Sequence, residues 1–182
     1  MLLILDLDET LIYATTTRLE RAPDFEVGHY FVYCRPALDD FLRYAGQQFE
    51  LAVWTSSSEE YARQVVEVIF SGRPPLAFLW GRKRCTARFN PEIRADYWVK
   101  DLKKVKKLGY PLEQVLVIDD SPEKLERQYG NHLRVEPFEG SVDDRELALL
   151  TRYLDRIRAV ENVRKVEKRS WKDQIGEVEP SV

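Results

Sequence analysis

Three short, almost wholly apolar runs constrain the fold of this chain more than any other feature. They cover residues 2–7, 49–54 and 115–118, and carboxylate or hydroxyl side chains lie at the end of each. Strands that are apolar on both faces belong in the middle of a parallel sheet covered by helices. The carboxyl ends of parallel strands lie at one edge of a sheet, so we expect these polar side chains to meet there.

Helical patterns lie between these runs. Apolar residues recur at helical spacing over residues 36–45, where Pro36 suits the first turn and Gly46 the stop. Ser57 and Glu60 form a candidate capping box for the next helix. Its predicted apolar face comprises Tyr61, Val65, Val68 and Ile69. Further helices are predicted over residues 101–108, over residues 121–129 and from about residue 143. The alternation predicts an α/β fold, a doubly wound, Rossmann-like parallel sheet with helices on both faces.

The domain organisation is expected to be simple. A chain of 182 residues suits one core, so we expect one domain over residues 1–160. Residues 74–90 interrupt the alternation of strands and helices, and they are interpreted as a small β insertion near the site. Residues 161–182 form a charged C-terminal tail, in which Trp171 indicates partial packing.

Asp6 and Asp8 lie where the first strand should end. Successive side chains of a strand point to opposite faces, so these two carboxylates would share one face and repel each other. Mg²⁺ relieves such repulsion, because it prefers oxygen ligands and keeps positions for water and a substrate phosphate. An isolated pair of this kind more often consists of two solvent-exposed acidic residues in a turn. Whether the pair has a catalytic role therefore depends on the residues around it.

Other groups suited to phosphoryl transfer accompany the acid pair. Thr55 ends the second strand, Lys100 begins a predicted helix, and Asp119 and Asp120 end the third strand. Hydrolysis of a phosphomonoester needs a nucleophile, a proton donor for the leaving oxygen, and positive charge with hydrogen-bond donors around the phosphoryl oxygens. Each requirement has a candidate residue in this set.

The motif Asp-X-Asp-X-Thr, formed by Asp6, Asp8 and Thr10, resembles the first motif of the haloacid dehalogenase superfamily. Four further segments resemble the phosphatases that act on the RNA polymerase II C-terminal domain, also called the NLI-interacting-factor-like family. These segments are residues 34–42 (CRPALDDFL), 54–57 (WTSS), 97–102 (YWVKDL) and 118–122 (IDDSP). The resemblance runs in order from residue 2 to about residue 158, nearly the whole chain.

The resemblance implies a role for each matched residue. Asp6 would attack phosphorus and become an aspartyl phosphate. Asp8 would protonate the leaving oxygen and then deprotonate the attacking water. Thr55 would donate a hydrogen bond to the phosphoryl group, and Lys100 would neutralise charge on the nucleophile and the phosphoryl oxygens.

The same resemblance implies an Mg²⁺ cofactor. Its expected ligands are Asp6, Asp8 through its backbone carbonyl, Asp119 and Asp120. The family often has Asn as a metal ligand at the last of these positions, so Asp120 is favoured over Asp119 as the direct ligand. Supporting roles are expected for Thr10, Ser56 and Arg35. Three positions depart from the family: Cys34 replaces a usual Lys, Ser56 a common Ala, and Asp120 the Asn of smaller members. Cys34 and the insertion leave the substrate open.

Overall charge limits the classes of partner. The formal net charge is −3, which disfavours a protein built to bind nucleic acid.

The cysteine content and the first apolar run bear on the compartment. The only cysteines, Cys34 and Cys85, form neither a disulfide framework nor a metal-binding pair in the sequence, and they fit a reducing compartment such as the cytoplasm. The first apolar run is too short for a membrane span or a signal peptide. We therefore expect a soluble monomer in the cytoplasm, with the nucleus open in a eukaryotic host.

The leading hypothesis is a phosphatase that acts on phosphoserine or phosphothreonine in a protein or peptide. The second is a phosphatase for small phosphorylated metabolites, which a lid over the metal would favour. No large helical cap is visible between residues 11 and 35 or between residues 57 and 100, so an accessible site is expected. A non-catalytic binding module and a nucleic-acid end phosphatase are further alternatives. The presence of Asp6, Asp8, Lys100 and Asp120 disfavours the binding module. The net negative charge and the lack of a basic stripe disfavour the nucleic-acid phosphatase.

Overall fold

The computed structural model describes residues 1–91 and 94–175. Its strands are β1 (Leu2–Leu5), β2 (Ile12–Thr15), β3 (Phe25–Val27), β4 (Tyr30–Cys34), β5 (Glu50–Trp54), β6 (Leu79–Trp80), β7 (Thr86–Asn90), β8 (Ala95–Val99), β9 (Val115–Asp119) and β10 (His132–Arg134). Its α-helices are α1 (Leu38–Gln48), α2 (Glu59–Ile69), α3 (Lys103–Lys106) and α4 (Glu146–Ile157). Within these ranges, no helix has the length and hydropathy that a membrane span requires.

A parallel sheet of five strands forms the centre of the molecule, in the order β10-β9-β1-β5-β6. β1 pairs in parallel with β5 on one side and with β9 on the other. The predicted α/β fold class is confirmed, and the three apolar runs form the three central strands. The edge strands β6 and β10 contain two and three residues, too few to give an apolar run in the sequence.

The two faces of the sheet bury alternate residues of the same strands. Leu3 and Leu5 of β1 pack with residues of α1, α2 and α4 on one face. Leu2 and Ile4 pack on the other face with Val105 of α3. Each fully buried Leu or Ile side chain contributes about 1.5–3 kcal/mol, so the strand that leads into the first motif is firmly anchored.

α1 begins two residues later than predicted. Ala37 adopts the left-handed conformation, with φ of 63°, so Pro36 lies before the helix and Leu38 begins it. The helix continues through Gly46 to Gln48. A glycine inside a helix costs only about 1 kcal/mol relative to alanine, which the buried apolar face of α1 offsets.

The predicted capping box at Ser57 is wrong, because Ser58 caps α2. Ser58 Oγ accepts a hydrogen bond from the backbone N–H of Tyr61 at 3.2 Å. Val68, which the spacing places on the apolar face, is 50% exposed, whereas Ile69 is buried as predicted. The shift of the cap leaves the Ser57 hydroxyl for another partner.

Three other helical segments are shorter than predicted. α3 covers Lys103–Lys106 of the predicted 101–108 segment, and α4 begins at Glu146 rather than near residue 143. Residues 121–129 contain a short 3-10 turn at Pro122–Leu125, and a second begins at Tyr129. Short turns keep these segments close to the ends of β8 and β9.

Two small antiparallel sheets lie outside the central sheet. β2, β4 and β3 form a three-stranded sheet within residues 12–34, which the sequence pattern did not predict. β7 and β8 form a hairpin. The segment predicted as a β insertion, residues 74–90, therefore contains β6 of the central sheet and the first strand of the hairpin.

The C-terminal segment packs against α4 and the edge strand β10. Trp171 is 3% exposed, and its Nε1–H donates a hydrogen bond of 2.9 Å to the carbonyl of Arg134. Its ring lies 5.6 Å from the ring of Tyr153 in α4, measured between centroids. Residues 176–182 of the predicted tail lie outside the described residues.

Candidate active site

The carboxyl ends of three central strands bring predicted site residues together. Asp6 follows β1, Thr55 follows β5, and Asp119 is the last residue of β9. The backbone N–H of Asp6 donates to the carbonyl of Ile118 at 3.0 Å, and that of Thr55 to the carbonyl of Trp80 at 2.9 Å. Asp6, Thr55 and Asp119 are buried, so charges interact strongly in this region.

Asp6 is held between two ammonium groups. Lys100 Nζ lies 3.0 Å from Asp6 Oδ1, and Lys124 Nζ donates to Asp6 Oδ2 at 2.7 Å. Burial raises the pKa of Asp6, but the charges of Lys100 and Lys124 outweigh burial and lower the pKa to about 2. The carboxylate is therefore ionised at neutral pH. Apart from this contact with Lys100, Asp6 Oδ1 accepts no hydrogen bond from the described residues, and a lone pair remains available to attack an electrophile.

The hydrogen-bond partners of Asp8 are uncharged hydroxyl groups, in contrast to the ammonium groups at Asp6. Ser57 Oγ donates to Asp8 Oδ2 and the Tyr61 hydroxyl donates to Asp8 Oδ1, both at 2.6 Å. Burial raises the pKa of Asp8, and the two hydrogen bonds offset this effect only in part. The pKa values of Asp6 and Asp8 are therefore shifted in opposite directions, an arrangement that suits a nucleophile beside an acid-base group.

A tight turn begins at Leu7, between the two acids, and includes Asp8. β1 ends at Leu5, so Asp6 and Asp8 do not lie on a continuing strand as the alternation argument assumed. The carbonyl of Leu7 accepts hydrogen bonds of 2.8–3.2 Å from the N–H groups of residues 10–12. Glu9 has a positive φ of 60°, which is uncommon for a residue with a side chain. The turn thus fixes the acid pair at the start of the loop.

Asp6, Asp119 and Asp120 form a cluster that could hold a cation. One carboxylate oxygen from each lies within 4.8 Å of the others. Lys124 Nζ contacts all three acids, at 2.7 Å from Asp6, 3.2 Å from Asp119 and 3.5 Å from Asp120. Burial and the charge of Asp6 raise the pKa of Asp119 to about 6. Burial lowers the pKa of Lys124, but the surrounding carboxylates raise it overall, so Lys124 stays charged.

Lys100 joins two of these acids. Its ammonium lies 3.0 Å from Asp6 Oδ1 and donates a hydrogen bond to Asp119 Oδ2. The side chain is fully buried, and a buried ammonium is stable only when it is paired. The backbone N–H of Lys100 donates to the carbonyl of Lys124 at 2.7 Å. The two lysines are therefore fixed relative to each other.

Thr10 and Arg35 connect the first loop to the rest of the site. Thr10 Oγ1 donates to Asp120 Oδ1 at 3.4 Å. The buried guanidinium of Arg35 donates to the Thr10 carbonyl at 3.0 Å and to both carboxylate oxygens of Asp144 at 2.9 and 2.8 Å. These contacts link the loop to the segment that precedes α4.

Thr55 and Ser56 begin the turn after β5. Thr55 Oγ1 accepts a hydrogen bond from the N–H of Ser57 at 3.1 Å, which leaves its O–H able to donate to a ligand. Ser56 contributes its backbone carbonyl, which accepts a hydrogen bond of 2.6 Å from Arg82 Nε. The same turn therefore brings an arginine close to the Asp8 side of the site.

An open cleft of about 400 Å³ leads to Asp8. Tyr30, Ser57, Tyr61 and Arg82 are among the residues that line it. Arg82 also lines a larger groove of about 810 Å³ nearby. A substrate attached to an extended chain can therefore approach the acid pair from the surface.

Three residues that contact the acids are absent from the sequence-based set. The sequence pattern assigns Ser57 to a helix cap and Tyr61 to the apolar face of α2, whereas both hydroxyls bond to Asp8. Lys124 lies four residues after Asp120. That spacing of opposite charges is the signal that could have identified it.

Known proteins are similar to this chain over most of its length. The family model of the NLI interacting factor-like phosphatases matches residues 1–164. The chain is 33% identical to the "Probable C-terminal domain small phosphatase" of Dictyostelium discoideum, over 90% of this chain and 53% of that protein. It is 30% identical to CTD nuclear envelope phosphatase 1 of Xenopus tropicalis, over 92% of this chain and 71% of that protein. Identity to carboxy-terminal domain RNA polymerase II polypeptide A small phosphatase 1 of Homo sapiens is 28%, over 88% of this chain and 60% of that protein. The chain thus spans about half the length of the first relative and less than two thirds of the third.

Solved structures share the fold. Fcp1, described as an essential RNA polymerase II CTD phosphatase, aligns with a TM-score of 0.58 and 21% identity, over 98% of this chain and 55% of that chain. A fission yeast Fcp1 variant bound to beryllium fluoride aligns with a TM-score of 0.54 and 18% identity, over 94% of this chain and 48% of that chain. At these identities the likeness concerns the fold, and it agrees with the predicted α/β architecture.

Proposed function

The chain belongs to the NLI interacting factor-like phosphatase family, and we propose that it is a Mg²⁺-dependent phosphomonoester hydrolase that forms an aspartyl phosphate on Asp6. One observation carries this proposal. The buried Asp6 carboxylate lies between the ammonium groups of Lys100 and Lys124, while neutral hydroxyl groups hold the neighbouring Asp8. Hydrolysis through a covalent intermediate needs one carboxylate that stays ionised and a second group that exchanges a proton.

In the first step, Asp6 Oδ1 attacks phosphorus and the bond from phosphorus to the leaving oxygen breaks. Asp8 gives its proton to that oxygen, so the product leaves as an alcohol. Thr55 donates a hydrogen bond to a phosphoryl oxygen, and Lys100 balances the negative charge that gathers at Asp6. The phosphoryl group remains on Asp6 as an acyl phosphate.

In the second step, water attacks the phosphorus of this acyl phosphate. Asp8, now ionised, accepts a proton from the water, and the bond from phosphorus to Asp6 breaks. Inorganic phosphate leaves, and both carboxyl groups return to their starting states. Ser57 and Tyr61 favour the ionised form of Asp8 between the two steps, because donated hydrogen bonds stabilise a carboxylate.

The donor set at the strand ends fits a divalent cation with oxygen ligands. Asp6, Asp119 and Asp120 are buried acids with converging oxygens, and such a cluster needs positive charge nearby. These three residues would hold Mg²⁺, with the backbone carbonyl of Asp8 as a fourth ligand. When bound, Mg²⁺ would supply positive charge that reduces repulsion between the phosphate and the nucleophile.

A phosphorylated protein or peptide is the proposed substrate. The cleft at Asp8 opens to the surface, and the segment between the first and second motifs forms the small sheet β2-β4-β3 rather than a large lid. Several relatives are named as phosphatases of the RNA polymerase II C-terminal domain or of the nuclear envelope. An open cleft suits a side chain that projects from a polypeptide.

Hydrolysis of an aryl phosphate, with and without Mg²⁺, tests the reaction class. We expect turnover that requires the metal and that Asp6→Asn abolishes. A panel of phosphoserine and phosphothreonine peptides, set beside phosphorylated metabolites, then tests the substrate class. Folded, Mg²⁺-supplied protein that hydrolyses none of these compounds would contradict the proposal, and a preference for metabolites would contradict the choice of substrate.

A further inference from the structure

A groove of about 720 Å³ lies beside the edge strand β10, between this strand and the C-terminal segment. Its charged lining comprises Arg134, Arg164, Lys165, Lys168 and Arg169, with Glu167 as the single carboxylate. The whole chain has a formal charge of −3. The groove is therefore a local concentration of positive charge on a weakly acidic protein.

Little of this positive charge is neutralised within the groove. Glu167 pairs with Arg169, whose Nη2 lies 2.7 Å from Glu167 Oε2. In the part of the chain that the structure describes, Arg134, Arg164 and Lys165 form no ion pair with a carboxylate. All three are exposed, so their charges are available to a ligand that enters the groove.

Lys168 gives the most specific indication of an anion. It is only 6% exposed, and its ammonium donates hydrogen bonds of 2.6 and 2.8 Å to the carbonyls of Val163 and Val166. Two carbonyls satisfy donors but do not neutralise the charge. The nearby carboxylate of Glu167 interacts with that charge but forms its ion pair with Arg169, so the charge of Lys168 is only partly compensated. Burial of such a charge is costly, and a bound anion would offset this cost.

The groove adjoins the backbone of Asp119 and Asp120. His132 Nε2 forms a 2.8 Å hydrogen bond with the carbonyl of Asp119, and Arg134 Nε donates to the carbonyl of Asp120 at 3.3 Å. Pro122, two residues after Asp120, also lines the groove. A ligand bound there would lie beside the strand end that carries the proposed metal ligands.

We propose that this groove binds a second phosphorylated side chain of the peptide whose first phosphate reacts at Asp6. This inference rests on the proposed function. Guanidinium and ammonium groups bind phosphate through charge-assisted hydrogen bonds, and Tyr129, which is 82% exposed, offers an aromatic surface to a peptide. The net charge of −3 favours a phosphorylated side chain over RNA as the ligand, because domains that bind nucleic acid usually carry an excess of Lys and Arg.

The test measures binding of a fluorescently labelled peptide that carries several phosphoserines, with the same peptide carrying one phosphoserine as reference. Both are titrated by anisotropy with the full chain in an Asp6→Asn background, so that hydrolysis does not interfere. The variant Arg164→Gln/Lys165→Gln should weaken binding of the multiply phosphorylated peptide roughly tenfold. The variant Lys106→Gln/Lys107→Gln removes the same charge from the exposed surface around α3 and should leave binding unchanged.

Equal affinities of the multiply phosphorylated peptide for the Asp6→Asn protein with and without the two groove substitutions would overturn the proposal. Equal losses in the two double variants would also overturn it, because they would indicate a general effect of net charge. Binding of a single-stranded RNA through Arg164 and Lys165 in preference to the peptide would assign the groove to another class of ligand. Hydrolysis of an aryl phosphate by the wild-type protein tests the proposed function separately, since this compound has one phosphate and no peptide.

Discussion

The ammonium group of Lys124 lies 2.7 Å from the carboxylate of Asp6. The same group contacts Asp119 and Asp120, so Lys124 and a divalent cation would be attracted to the same three carboxylates. Two unit charges about 4 Å apart interact by about 4 kcal/mol at an effective dielectric constant near 20. A positive side chain at this position therefore opposes the binding of a second cation.

Replacement Lys124→Gln should raise the affinity for Mg²⁺ by about tenfold, because it removes this opposing charge. Isothermal titration of the protein with Mg²⁺ measures the change directly. Lys106→Gln, which alters an exposed lysine of α3, serves as the matched control and should leave the affinity as it is. An affinity that stays the same or falls in Lys124→Gln would show that the lysine does not compete with the cation.

Asp6→Asn should lower kcat by at least about 10³-fold, because it removes the proposed nucleophile while keeping the side-chain volume. Steady-state kinetics with an aryl phosphate measure kcat, and circular dichroism checks that the fold is retained. Asp40→Asn, the same change on the exposed surface of α1, should keep full activity. Persistent turnover in Asp6→Asn would rule out a covalent intermediate on this residue.

Tyr61→Phe should move the high-pH limb of the kcat/KM profile to higher pH. Burial raises the pKa of Asp8, and the hydrogen bonds from Ser57 and Tyr61 lower it, so loss of the Tyr61 hydroxyl should raise that pKa further. In the proposed first step Asp8 must be protonated, so we expect activity to be lost as pH rises through its pKa.

The pH profile should be measured with a phosphoserine peptide. Its alcohol is a poor leaving group, so the rate depends on proton transfer from Asp8 to the leaving oxygen. Tyr44→Phe is the control, because Tyr44 also donates a hydrogen bond to a carboxylate, that of Asp155, at the surface. Its profile should match the wild type. A limb that moves to lower pH in Tyr61→Phe would assign the titrating group to another residue.

Asp144→Asn should lower the free energy of unfolding by about 2 kcal/mol at neutral pH, because it breaks the pair with the buried Arg35. Asp144 is itself 16% exposed at its side chain, which keeps the loss below that of a fully buried pair. Chemical denaturation measures the difference. Asp40→Asn, which alters an exposed pair with Arg43, should change the free energy by less than about 0.5 kcal/mol.

The effect of Asp144→Asn should shrink in acid. Burial raises the pKa of Asp144, but hydrogen bonds from Arg35 and from the N–H of Glu146 outweigh burial and lower the pKa below its ordinary value of 3.8. The ionised pair therefore contributes fully above that value and is lost as pH falls through the lowered pKa. A difference between wild type and variant that stays constant into this range would contradict an ionic origin.

The central strands and the motif residues could be predicted because each leaves a strong local pattern. β1, β5 and β9 are buried on both faces, and their apolar runs are visible without knowledge of their partners. β6 and β10 could not be found, since two or three residues do not define a period. Their place in the sheet depends on neighbours that are distant in sequence.

The polar contacts of the site were harder to predict than its carboxylates. Tyr61 has the spacing of a core residue, and only the fold shows that its hydroxyl reaches Asp8. Lys124 lies four residues from Asp120, which local spacing could have indicated, but its contact with Asp6, 118 positions away in sequence, follows from the fold alone. Ser57 and Ser58 are equally good caps on local grounds, and the position of Asp8 decides which hydroxyl is free to bond to it.

The position of β1 between β5 and β9 has a consequence for the order in which the molecule assembles. Leu5 pairs with Ile118, and the N–H of Asp6 bonds to the carbonyl of the same residue. Contacts between segments so far apart in sequence form late, because closing the intervening loop costs chain entropy. A nascent chain that has not yet reached β9 therefore carries Asp6 and Asp8 without Asp119 and Asp120, and the proposed site is complete only when β9 has docked beside β1.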